Sequence, residues 1–83
     1  MGQKSDFDYI ITISKTIDSV EMKKLATDLK SVGAYVREYG YTGYRLNSKL
    51  SKTQLEDYIQ EKRGWSKKDF TVIGTLEYNA LRI

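Results

Sequence analysis

The feature that most constrains this chain is a helix-start pattern that occurs twice, once on each side of a tyrosine-rich stretch. In "IDSVEMKKLATDLKSVG" Asp18 is placed to cap a helix, Glu21 follows three residues later as in a capping box, and Ile17 can staple against Met22. Met22, Leu25, Ala26, Leu29 and Val32 then share one face at helical spacing, and Gly33 reads as a left-handed stop. In the second half Leu50 is the staple to Leu55, Ser51 the cap and Gln54 its box partner. Leu55, Tyr58 and Ile59 face inward and Gly64 is the stop, which predicts a helix over 52–63. "DYIITISK", residues 8–15, alternates with Tyr9, Ile11 and Ile13 on one side and Ile10, Thr12 and Ser14 on the other. "FTVIGTLE", residues 70–77, has the same β-branched alternation. Between the helices, "YVREY", "GYTG" and "YRLN" read as two strands joined by a glycine-bearing turn. With right-handed crossovers, the order βαββαβ leads to an α+β fold. Its four-stranded antiparallel sheet has strand order 4-1-3-2 and both helices on one face.

Composition narrows the function classes. At 83 residues the chain reads as one domain, 1–83, with a thin core, and 1–7 and 78–83 as candidate loose termini. The ending "YNALRI" carries no assignment. Without Cys or His there is no disulfide framework and no zinc-type ligand set, so no metal site and no cofactor are expected. No apolar run approaches the roughly 20 residues that span a bilayer, and "MGQKSDFDY" lacks a signal-peptide stretch. The expectation is a cytoplasmic protein with no membrane partner. Gly2 invites comparison with myristoylation sites, but Asp6 stands where Ser or Thr is required. A net charge of +3 is mild, so an anionic partner has to be argued from where the charges sit.

Over nearly its whole length the chain resembles the ferredoxin-like superfold, the split βαβ arrangement, which hosts unrelated functions. RNA recognition motifs share that topology but carry aromatics on the outer face of strands one and three, where this chain has Ile10, Thr12, Gly43, Arg45 and Asn47. "LNSKLSKTQLEDYI" is similar to the strand-to-helix passage of the GhoS-type antitoxin, a small ribonuclease. The CRISPR adaptation nuclease has an acidic residue after its first strand, whereas this chain reads "TISK". Asp6, Asp8 and Glu77 can approach one another near the opposite edge and hold Mg²⁺, yet no base or nucleophile is placed beside them. The expected protein is not an enzyme and has no catalytic residues. Length and a simple fold also suit a phage-type inhibitor or adaptor of the anti-CRISPR kind.

Alternation sorts the tyrosines. Ala34 and Val36 are expected to face the helices, and Tyr35, Arg37 and Tyr39 the open face of the sheet. Tyr44 and Leu46 go inward, Arg45 and Asn47 outward, and Tyr41 sits at the turn. Tyr9, Tyr44 and Tyr58 are expected in the core with their hydroxyls at its rim. The end of strand one, the hairpin turn and the start of strand four share one border, which gathers Lys15, Tyr39, Tyr41, Lys62, Arg63, Trp65, Lys67 and Lys68. Cations interleaved with aromatics suit a single nucleic-acid strand, RNA or DNA, because charges follow phosphates and rings stack bases. The competing reading makes Lys62 and Arg63 helix-end cations, Lys67 and Lys68 solubilising, and Trp65 a lid on the core. A second candidate surface is the strip Tyr35, Arg37, Tyr39 and Arg45, which suits a protein interface with a nucleic-acid-processing partner. The exposed edge of strand two also suits pairing with a second copy as a homodimer.

Overall fold

The computed structural model describes residues 7–75. Strand β1 (Phe7–Ile13) leads to helix α1 (Ser19–Val32), then to strands β2 (Gly33–Glu38) and β3 (Gly43–Ser48), helix α2 (Lys52–Arg63), a 3₁₀ turn (Lys67–Asp69) and strand β4 (Phe70–Gly74). The sheet runs β2-β3-β1-β4 with every pair antiparallel, an order that reads 4-1-3-2 when counted from the β4 edge. Phe7 opens β1 and so belongs to the sheet rather than to a terminal tail. The expected continuation of the last strand through Leu76 and Glu77, and the ending "YNALRI", lie outside the described residues.

One apolar cluster lies between the sheet and the helices. Tyr9, Ile11 and Ile13 of β1 meet Leu46 and Tyr44 of β3 and Val72 and Phe70 of β4 on one side, and Leu25, Leu29, Leu55 and Ile59 of the helices on the other. Both helices therefore cover the same face. Each fully buried aliphatic side chain here contributes about 1.5–3 kcal/mol relative to exposure. Three tyrosines put rings in or against this cluster and satisfy their hydroxyls at its margin: Tyr9 donates to the Leu50 carbonyl (2.7 Å), Tyr44 to Met22 (3.1 Å) and Tyr58 to Asp28 (2.8 Å). Ser48 is the one buried polar side chain among the described residues. Its hydroxyl donates to the Val32 carbonyl at 2.7 Å and accepts from the Leu50 N–H at 3.1 Å, which pins the end of α1 to the end of β3.

The helix ends differ. At α2 the full capping box forms between Ser51 and Gln54, and Gly64 takes the left-handed conformation (φ 72°) that closes the helix. At α1 Asp18 accepts from the Glu21 N–H at 2.8 Å, but Gly33 is extended and passes straight into β2. Gly33 is thus not the left-handed stop that the sequence suggested. It is required by close approach: a Cβ there would lie 2.5 Å from the Asn47 carbonyl oxygen and 2.6 Å from Leu46 Cδ1.

The edge strand β2 carries a bulge. Ala34 pairs with Asn47 and Arg37 with Arg45, so Tyr35 and Val36 together oppose Leu46. Tyr35 sits at φ 57°, the positive-φ residue that is not glycine, and is 76% exposed. The extra residue resets the alternation. Ala34, expected to face the helices, pairs with Asn47 of the open face instead, whereas Val36 packs against the core and Arg37 reaches the open side opposite Arg45.

Candidate nucleic-acid interface

The border is built by backbone pairing. β1 ends opposite the start of β4, with Ile13 paired to Phe70, and the N–H groups of Ser14 and Lys15 continue the contact by donating to the Asp69 carbonyl at 2.7 and 3.3 Å. On the other side the Ile13 N–H donates to the Thr42 carbonyl at 2.8 Å, which holds the hairpin turn against the end of β1. Residue 15, the bend at 41 and the 67–69 turn therefore lie along one margin of the sheet. Ser14, Lys15, Thr16, Ile17, Tyr41 and Thr42 line a cavity of about 260 Å³ there. Tyr41 is fully exposed at its mouth, and Tyr39, 41% exposed, stands beside it.

The acid that engages the margin's lysines is Asp69. Lys15 Nζ lies 3.8 Å from Asp69 Oδ2 and 5.5 Å above the Trp65 ring. The Asp69 carboxyl is held below its ordinary value by the hydrogen bond from the Ser66 backbone N–H, an effect opposed by desolvation and reinforced by the charges of Lys15 and Lys68. Lys67 and Lys68 are exposed on the 3₁₀ turn that Ser66 and Asp69 stabilise. Lys15, Lys67 and Lys68 thus share the margin with Asp69, which is occupied in holding the turn, while Glu38 is exposed at the hairpin beside Tyr39.

Three expected members of the rim are placed elsewhere. Trp65 is 6% exposed and packs on Phe70 with ring centroids 6.1 Å apart, because the left-handed Gly64 turns the chain back over the core. It is a lid, and its ring is not available for stacking. Arg63 is 16% exposed at its side chain and faces α1, with NH1 3.2 Å from Glu21 Oε2 and Nε 2.8 Å from Asp28 Oδ2. The second contact is too poorly aligned for a hydrogen bond and acts as an ion pair. Arg63 therefore joins the helices. Glu21 and Asp28, seven residues apart and so on one stripe of α1, were the available signal for this. Lys62 lies 5.8 Å over the Tyr58 ring, on the helix side of the margin. Lys15, Tyr39, Tyr41, Lys67 and Lys68 remain as the open set.

No known protein family, curated protein or solved structure matches the chain.

The open face of the sheet carries a second charged group. Arg45 holds Asp8 through both carboxylate oxygens, Nε to Oδ1 at 3.2 Å and NH2 to Oδ2 at 2.7 Å. That hydrogen-bonded pair raises the Arg45 pKa, with a smaller contribution from Tyr39. Asp8, considered above as a Mg²⁺ ligand, is thus engaged by an arginine, and its suggested companions Asp6 and Glu77 lie outside the described residues. Among the described residues no cluster of three or more carboxylates is placed to hold a metal ion, and no helix is long and apolar enough to cross a membrane.

Proposed function

We propose that this chain is a non-catalytic module that binds single-stranded nucleic acid along the β1–hairpin–β4 margin. The βαββαβ order and the single helical layer support reading the fold as ferredoxin-like. The observation that carries the functional reading is the convergence, from three distant parts of the chain, of Lys15, Lys67 and Lys68 with the exposed rings of Tyr39 and Tyr41. The lysines supply phosphate contacts and the rings supply sequence-tolerant stacking, about 1–3 kcal/mol per base.

The test is anisotropy of labelled 12-nucleotide RNA and DNA strands at low salt. Changing Lys67 and Lys68 together to Glu is expected to weaken binding by tenfold or more with only a small loss of stability, because both side chains are exposed and Lys68 makes a minor contribution to the Asp69 carboxylate. Tyr41→Ala is expected to weaken it by about 5- to 150-fold, one stacked base. Lys49→Glu, exposed beyond the far end of β3, serves as the control and leaves affinity within about twofold. Absence of binding at low salt, or indifference to the Lys67/Lys68 change, eliminates the proposal.

A further inference from the structure

We infer that Arg37, the exposed register partner of Arg45, forms a second phosphate subsite at the β2 edge of the sheet face turned away from the helices, extending the same nucleic-acid track past the hairpin; this rests on the reading just proposed. Arg37 is the direct cross-strand partner of Arg45, and like charges placed opposite each other weaken a sheet. The fold neutralises only one of them. Both oxygens of Asp8 are taken by Arg45, and among the described residues no carboxylate lies within ion-pair distance of Arg37. An exposed guanidinium with no carboxylate of its own, on the strand opposite an arginine whose head group is committed to Asp8, favours an oxyanion from outside the chain, and the planar fork suits a phosphate.

Placement favours a phosphate of a bound strand over any other anion. Tyr39 lies one residue past the end of β2, where its N–H still donates to the Gly43 carbonyl at 2.9 Å, and two extended residues from Arg37 span about 6.6 Å, comparable to one nucleotide step in an extended strand. Tyr39 lies between this subsite and the margin where Tyr41 and Lys15 stand. Across the hairpin from Tyr39 is Gly43, whose lack of a side chain is imposed by the Ile11 and Tyr39 carbonyls, 2.6 and 2.8 Å from where a Cβ would be. No β3 side chain therefore crowds that flank of the ring. The bulge completes the device: without the additional residue, Arg37 would oppose Tyr44 on the helix side.

The decisive experiment compares wild type, Arg37→Gln and Arg37→Lys against a 4-nucleotide and a 12-nucleotide strand of the same RNA over a salt series. The 12-mer spans the margin and Arg37 together, whereas a tetramer cannot occupy every position of the track at once. Arg37→Gln is expected to weaken the 12-mer about tenfold and the tetramer by less. It is also expected to make the log K against log salt slope shallower by about 0.7, one phosphate. Arg37→Lys restores that slope. If wild type binds both strands and Arg37→Gln keeps the affinity and slope of the 12-mer, the subsite is refuted while the margin stands. If wild type binds neither strand, both readings fall. Arg37-dependent capture of a poly-glutamate peptide in place of any oligonucleotide would reassign this face to an acidic protein partner and also overturn the inference.

Discussion

Tyr35 combines a largely exposed side chain with the one left-handed backbone among the described residues that is not glycine. An L residue in the left-handed region is strained by about 1–2 kcal/mol, with Asn among the residues that tolerate it best and β-branched residues the worst. Tyr35 is exposed and on an edge, so replacement removes little packing. Tyr35→Asn is therefore expected to raise stability by about 0.5–1 kcal/mol, and Tyr35→Val to lower it by about 1 kcal/mol or more, read as opposite shifts of the urea midpoint. Equal midpoints would mean that the bulge relaxes in solution. Asp69 supports a second prediction. Its folded pKa is depressed below the ordinary 3.8, so the stabilisation it brings is present above that value and is lost as the pH falls through the lower folded value. Asp69→Asn is accordingly expected to be less stable than wild type near neutrality. The difference should close as the pH falls from above 3.8 through the lower folded value, as denaturation midpoints taken across that range would reveal. A difference that persists in acid would assign the effect to packing instead of charge.

At the scale of elements, the parts legible in the sequence are those whose causes are local. Asp18, Ser51 with Gln54, and Gly64 act within a few residues of their own helix, and each does what its position suggests. Gly33 was legible as a glycine that matters but not why, because the atoms that forbid a side chain belong to Asn47 and Leu46 across the sheet. The same limit governs the candidate site. Strand order brings residue 15, the hairpin and 67–69 together, and that followed from topology. Whether Trp65 and Arg63 face outward depends on how the chain rotates after Gly64, which no short pattern records. Arg63 then has a consequence for α1 and α2. Glu21 and Asp28 are about a quarter exposed or less, so removing their shared cation strands two carboxylates in a crease where water reaches them poorly. Arg63→Met is expected to cost about 2 kcal/mol, reduced from the value for fully buried pairs by that residual exposure. Adding Asp28→Asn to Arg63→Met should cost less than the two separate losses by about 1 kcal/mol, a coupling measurable in a double-mutant cycle. Strict additivity would show that the ion pair is only apparent.

For the whole molecule, the decisive fact is that both helices and all four strands contribute to one apolar cluster, β2 through the partly buried Val36. α1 and α2 are joined by Arg63 and by the Tyr58–Asp28 hydrogen bond, and both rest on side chains of β1, β3 and β4, so no subset of elements keeps a core of its own. Unfolding should then be a single transition. Trp65 makes this measurable. It is the sole tryptophan, it lies in that cluster against Phe70 of β4, and Lys15 from the end of β1 stands over it. Its emission reports α2, β4 and the end of β1 together, while far-UV circular dichroism reports both helices and the sheet. The two urea curves are expected to superimpose, and Leu29→Ala should move both midpoints equally, by about 2–5 kcal/mol of stability. The burial that makes Trp65 a reporter of folding makes it a poor reporter of ligand. Iodide should leave the native emission nearly unquenched, and so should an oligonucleotide held by Tyr39, Tyr41 and the exposed lysines. An emission change that precedes the loss of circular dichroism would place Trp65 in a locally unfolding end. The α2–β4 connection, and with it Lys67 and Lys68, would then be a separate cooperative unit rather than a fixed part of the proposed border.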